Sequence, residues 1–600
     1  MQLSVGISLT YPGSPASLPG AAGFLESYSS GGDGFVYSFA KDGTDEPEAL
    51  IVDSGTPAND LALTLADDLA AFSAMLTYTN PSQKNVLQAD GEVKYSASNQ
   101  AIYSEDFTQS NYIVLKAAKT DAETITEDSG TGTHVIYDQD SFSSSIGYVT
   151  YEMELKYVDR RYCRLSAHSG GYAAAAYVDV DLLNKTISQH GSVSTSAIVS
   201  STILDLNDDG WMRVTLVFTH DQTSLYVATF MRDTDTNETT ESALGYTGGG
   251  TASMKLRKKR LTQGPSVSTY LPTTTSAIYA LPIEYNSSGN AIGVLAEPAA
   301  TNLCLHSNDL TDAAWTAANM TTAKTATGPG NRANEATTVT ATAANATVKQ
   351  SITDASAARV TAVYLKRRTG TGNVDLTMDD GSTWATQAIT TSWVRYELAT
   401  ATAANPIVGL RLVTDTDAVD VALFQHELGT VATSPIVTIG STATRAKDQL
   451  HMSVFDFPFA RPGPGMLYVE FNVASVDHGV KNWGPVRLDA AGTSDNSNIF
   501  HNLRGNEILR CFDAGGSLVG QVIQGTVVAG TDHKIAAVFA TDDFAASFDG
   551  AAVGTDTSGT HTATSSYLRL GHEAQMPVRI KKIAYIPERV SNARLEAMAT

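Results

Sequence analysis

Residues 99–112 read NQAIYSEDFTQSNY, and residues 301–315 read TNLCLHSNDLTDAAW. Asn99, Ser104, Asp106, Thr108 and Tyr112 of the first stretch correspond to Asn302, Ser307, Asp309, Thr311 and Trp315 of the second, at one constant spacing of 203 residues. The match continues downstream. Trp211-Met-Arg213-Val answers Trp393-Val-Arg395-Tyr, and Thr269-Tyr-Leu-Pro-Thr273 answers Ser434-Pro-Ile-Val-Thr438. A long, single duplication of this kind implies two compact modules in series rather than a short-period solenoid.

Between the repeated stretches the pattern is that of strands. YVTYEMELKYV (148–158), RYCRLSAH (161–168), YAAAAYVDVDL (172–182) and WMRVTLVFT (211–219) alternate or run apolar, with Gly, Asp and Asn between them. RVTAVYLKRR (359–368), NVDLTMDDG (373–381), WVRYELAT (393–400) and VGLRLVT (408–414) repeat the scheme. Such spacing predicts antiparallel β-sandwiches. Hairpins with Asp90-Gly91 and Ser288-Gly289 turns precede the two modules. Residues 446–600 read as a third sandwich, with an Asp549-Gly550 hairpin and a closing helix over SNARLEAMA capped by Ser591. Residues 1–84 differ from the rest, and ANDLALTLADDLAAFSAML, capped by Asn59, predicts a helix there. The fold class expected is mainly β: a string of β-sandwich domains behind a small α+β N-terminal domain. The boundaries are 1–84, 85–275, a linker hairpin at 276–300, 301–445 and 446–600.

Composition narrows the function classes. A chain of 600 residues needs several cores. With 40 basic against 63 acidic residues its net charge is −23, which disfavours nucleic acid and anionic membrane as partners. Cys163, Cys304 and Cys511 are odd in number and far apart, so they imply small core residues and no disulfide framework. No basic, then apolar, leader opens the sequence and no apolar run is long enough to span a membrane, so neither a signal peptide nor a membrane span is expected.

The run GVLAEPAATNLCLHSNDLTDAAW (293–315) resembles the opening of a module found in bacteriophage tail-fibre and virion-appendage proteins, and FQHELGTVATSPIVT (424–438) resembles its close. Those modules resemble carbohydrate-binding jelly rolls. VRIKKIAYIPERVSNARLEAMAT (578–600) is similar to the closing strand and helix of concanavalin-like, laminin-G-like lectin domains of the same proteins. The first module departs from the pattern: KLRKKRLTQGPSVSTYLPT (255–273) lacks the Gln-x-Glu, and Tyr112 replaces the Trp. The resemblance implies a structural virion protein made in the host cytoplasm and mounted on the particle exterior. Residues 1–84 would hold other virion proteins, the chain would be a homotrimer, and it would adhere to a host surface glycan. A head fibre or tail component without receptor binding is the alternative, and a glycan-degrading tailspike a third. Some such domains hold structural Ca²⁺, and no other cofactor is implied.

Candidate residues follow. Tyr112 and Trp315 could offer an aromatic face to a sugar, or plug the core beside the first strand; Trp211 and Trp393 read as core. Trp483, His501, Asn502, Arg504 and His572 sit between strands, where binding residues collect. Asp205, Asn207 and Asp209 with Gly210 fit half a calcium loop, but position twelve is Leu216 and a strand follows, so a turn is the simpler reading. Asp179 and Asp181 share one strand face and suit a solvated edge better than a cation site. The basic run Lys255–Arg260 suits a charged strand edge or contact with acidic neighbours. Asp379-Asp380 and Asp542-Asp543 could supply paired carboxylates for glycoside hydrolysis, but both fall at turns. No nucleophile elbow, HExxH, Walker loop or CxxC pair is present, so no catalytic residue is assigned and no enzyme is expected.

Overall fold

The computed structural model describes residues 84–600 apart from loops at 142–146, 169–175, 193–196, 221–223, 236–237, 239–240, 266–269, 454–463, 476–483, 490–498, 501–506, 513–516, 560–566, 572–575 and 587–588. Before residue 84 it describes the strands Gly34–Ser38, Glu48–Val52, Leu61–Thr64 and Thr77–Thr79. The described chain is mainly β and antiparallel, as the patterning predicts.

Both modules are sandwiches in which the chain crosses repeatedly between two sheets. In the second module the front sheet runs, in spatial order, Thr316–Ala318, Ala346–Ser351, Ile407–Leu412, Val374–Thr377 and Ala385–Gln387. Its back sheet runs Met320–Ala326, Ala336–Ala341, Ala418–Leu428, Ala357–Thr369 and Val394–Ala403. The first module has the same order strand for strand: Ile113–Leu115, Val135–Ser141, Ser224–Arg232, Tyr162–His168 and Ala176–Asp181 in front. Behind lie Ala117–Lys119, Thr124–Glu127, Ala252–Gln263, Tyr148–Tyr157 and Trp211–Thr219. It adds one edge strand to each sheet, Thr186–Ser192 in front and Ile198–Asp208 behind. Alternation explains the layering. Val408, Leu410 and Leu412 face the core with Val348, Val374 and Leu376, while Arg411 and Lys349 face outward.

The repeated stretch is the knot that closes each module. Asn302 donates from Nδ2 to the carbonyls of Phe424 and Ile436 (3.0 and 2.8 Å) and accepts at Oδ1 from the amides of Cys304 and His426 (3.1 Å each). Asn99 does the same with Lys259, Leu271, Ala101 and Leu261. Ser307 and Thr438 exchange amide-to-hydroxyl bonds, as do Ser104 and Thr273. Asp309 caps the turn by accepting from the amide and hydroxyl of Thr311, and Asp106 from those of Thr108. Even the backbone strain is duplicated: Tyr103 and His306 (φ 51° and 52°) and Lys258 and Leu423 (50° and 53°) are left-handed without being glycine. In the second module Gln425 and Glu427 bind the loop around Thr433, which is the structural use of the Gln-x-Glu signature.

The third sandwich draws on the whole chain. Its ten-stranded sheet centres on Val578–Ile586, flanked by Gly465–Val473 on one side. On the other side Gly34–Ser38 and Ala291–Ala296 share its edge. The opposing seven-stranded sheet takes in Thr77–Thr79 and Gln449–Ser453. Within 276–300, Ile283–Tyr285 and Ala291–Ala296 form the expected hairpin, which joins this sheet. Asn592–Ala599 forms the helix expected at the end. Ser591 caps it, and Leu595 and Met598 pack on Met466, Tyr468 and Ala584.

Several expectations change. Leu61–Thr64 is a strand paired with Glu48–Val52, not the first turn of a helix, because the ladder takes up its backbone groups; the rest of residues 59–76 lies outside the described residues. Asp179 lies on no solvated edge: it is buried between Arg164 (2.6 and 2.8 Å) and Arg232 (2.8 Å), because an added strand covers its sheet edge. The basic run forms an internal strand, not an edge. Arg257 meets Glu154 and Asp208, and Lys259 meets Asp138 and Asp140. The cysteines are free and buried in the cores.

Candidate functional site

Tyr112 and Trp315 are core plugs. They are 2% and 5% exposed, and each spends its polar atom on a backbone carbonyl: the Tyr112 hydroxyl on Ile102 (2.9 Å), the Trp315 indole on Leu305 (3.1 Å). Neither presents a face to a sugar, which corrects their candidacy; the first strand of each module needs an anchor, and they supply it. Asp205, Asn207 and Asp209 form the turn between Ile198–Asp208 and Trp211–Thr219. Lys185 and Lys156 pair with the two carboxylates at 2.6 Å each. Among the described residues no cluster of three or more His, Cys, Asp or Glu could hold a metal ion. Asp379 serves its own turn, accepting from Thr383, and Asp543 pairs with Arg589. Trp483, His501, Asn502, Arg504 and His572 lie outside the described residues.

A different set converges on the outer face of the second module's front sheet. Arg411 stands on Ile407–Leu412 between Thr347 on one neighbour and Asp375 on the other; Thr386 lies beyond Asp375. Arg411 donates to Asp375 (2.9 and 2.6 Å), and Thr386 donates to the same carboxylate (2.7 Å). The guanidinium lies 4.5 Å from the Trp384 ring centre, a cation–π distance. In the next row Gly409 separates Lys349 from Thr377, and Lys349 reaches Asp380 at 2.6 Å. The turn 379–384 carries Trp384 over this face, and Gly381 (φ 87°) makes room for it: a Cβ there would lie 2.6 Å from the indole. The indole is half-buried; Thr386 beside it is exposed and Lys349 and Arg411 partly so, while Asp375 and Thr377 are buried. Aromatic surface, hydroxyls and charged donors are the groups that receive a sugar's C–H face and its hydroxyls.

The first module shows that the fold does not require this face. At the ladder positions of Thr347, Lys349, Gly409 and Arg411 the first module has Val135, Tyr137, Ala228 and Phe230, a small apolar cluster with Leu244 of the Glu241–Leu244 segment, and at those of Asp375 and Thr386 it has the buried pair Arg164 and Asp179. The second module carries Thr347, Lys349, Gly409 and Arg411 there instead. Sequence reading missed this set. The signal was an Arg at the outward position of VGLRL and a Trp directly after a DDG turn rather than inside a strand.

No family model matches the chain, and no curated protein matches it. Among solved structures it is similar to the CBM22-1 xylan-binding domain of Paenibacillus barcinonensis Xyn10C. The identity is 16% over 23% of this chain and 98% of that one, with a TM-score of 0.18. It is also similar to the CBM22-1–CBM22-2 tandem of the same protein, at 12% identity over 48% of this chain and 98% of that one, with a TM-score of 0.19. At such scores the likeness says nothing about this chain's ligand.

Proposed function

We propose that the protein is a non-enzymatic, glycan-binding appendage of a phage virion, and that the Trp384 face of the second module holds the sugar. The observation that supports the binding reading is the Trp384 corner of the second module: a part-exposed indole beside Arg411, Lys349 and Thr386, where the two matching strands of the first module carry the apolar cluster under Leu244. The virion assignment rests on the sequence resemblance at 293–315, 424–438 and 578–600. Under it, residues 1–84 dock to other virion proteins, the chain forms a homotrimer, and several copies raise affinity for a surface polysaccharide. The acidic surface suits a polysaccharide ligand better than nucleic acid.

The test is titration of the full chain and of Trp384→Ala against a panel of bacterial surface polysaccharides. Wild type should bind at least one, and the variant should lose that binding with its unfolding midpoint unchanged. Binding that survives the substitution, or no binding to any host glycan, sinks the reading.

A further inference from the structure

Lys259 lies in the core of the first module, 1% exposed, on the inner side of the back sheet. Its ammonium nitrogen is 2.5 Å from both carboxylate oxygens of Asp138 and 2.9 Å from Asp140 Oδ2, and both aspartates stand on the front-sheet strand Val135–Ser141. Equidistant from the two Asp138 oxygens, the nitrogen is held against the carboxyl group as a whole rather than against one oxygen. Asp138 and Asp140 are themselves 3% and 4% exposed, and the Tyr112 ring lies beside the ammonium.

A buried ion cluster of this kind is costly, and apolar residues usually replace it without loss. The second module illustrates this. Counted along the matching ladders, its positions for Lys259, Asp138 and Asp140 are Phe424, Gln350 and Ile352, so all three charges are exchanged together. The sandwich does not need the triad, and the triad is kept or lost as a unit.

We propose that Lys259 and Asp138 join in an intramolecular isopeptide bond, with Asp140 as the proton acceptor, cross-linking the two sheets of the first module. Asp140 takes one proton from the ammonium, and the free amine attacks Cγ of Asp138. A second nitrogen proton passes through Asp140 to the departing hydroxyl, which leaves as water. The Nζ–Cγ bond forms, the Cγ–O bond breaks, one proton stays on the amide and one on Asp140; nothing is oxidised or reduced. Burial, reinforced by the charge of Asp140 and opposed by that of Lys259, pushes the Asp138 carboxyl up to about 7, while burial is outweighed at Lys259 by the two aspartates, which raise its pKa; the reactive form is the one in which a proton has moved from the amine to the carboxyls. Fixed proximity in a dry site replaces external activation.

The experiment is intact-mass and peptide mass spectrometry of the purified full chain. Wild type should weigh one water less than its sequence requires and yield a branched peptide joining the segments of residues 138 and 259. A succinimide loses the same water but gives no branched peptide, so that pattern overturns the proposal, as does an undiminished mass. Lys259→Met should restore the full mass. Asp140→Asn, which keeps both bond partners but cannot take the proton, should do so as well; a cross-linked Asp140→Asn chain would remove Asp140 from the mechanism.

Discussion

Asn302, itself buried, binds four backbone groups on three segments with one side chain: its own, the strand Ala418–Leu428 and the loop at Ile436. Each orphaned group costs about 1–3 kcal/mol. Asn302→Ala should therefore cost several kcal/mol in chemical denaturation, and Asn99→Ala a similar amount in the first module; a loss below about 1 kcal/mol would contradict the hub. These residues were legible because a polar side chain repeated at fixed spacing has one evident use, tying loops to a frame. Tyr112 and Trp315 repeat for the same reason, and the repeat could not by itself separate an anchor from a ligand face. His426 adds a titration. Burial, with Arg359 nearby, lowers its pKa from 6.5 to about 4, so the folded module holds it neutral. Its contribution is fully present above pH 6.5 and is lost as pH falls towards about 4. The unfolding midpoint of the second module should fall across that window, and less steeply in His426→Gln.

At the scale of single elements, the strands were read well and the faces poorly. Trp211–Thr219 has the expected bounds. Alternation reports which side is buried but not what a neighbouring segment covers. The basic run shows the limit: of its two readings, the edge strand fails and the contact with acidic neighbours holds, through Glu152 and Glu154 on the adjoining strand, Glu123 beside the other neighbour, and Asp138 and Asp140 on the facing sheet. Those carboxylates lie far away in sequence, so no local rule could supply them. The terminal helix was legible because its cap is local. Ser591 accepts from the Arg594 amide, and Ser591→Ala should cost about 1 kcal/mol in equilibrium unfolding of the third sandwich. No measurable change would mean that packing of Leu595 and Met598 alone holds the helix.

Over the whole molecule, the second module is joined to the third sandwich by a buried ionic junction. Glu297 accepts from Arg445 (2.6 Å) and from the Ser434 amide and hydroxyl (2.7 Å each), with Lys84 3.5 Å away; Lys84 also pairs with Asp448. Burial alone would raise this carboxyl, but Arg445, Lys84 and the Ser434 bonds prevail and hold its pKa at about 2. The stability it contributes is complete above about pH 4.5 and is lost as pH falls towards about 2. Glu297→Ala should cost about 3–5 kcal/mol by leaving buried cations unpaired. Calorimetry should then show the second module and the third sandwich melting separately; one unchanged transition would refute the coupling. The sheet around Val578–Ile586 has a consequence for biosynthesis. Phe35 pairs with Tyr585 and Val294 with Ile580, so early segments emerge from the ribosome long before the strand that completes them. A chain released before residue 578 would keep a protease-resistant first module while the 34–38 and 291–296 strands stayed without their partner. The third sandwich thus closes only once Val578–Ile586 has been made, however early its other strands are synthesised.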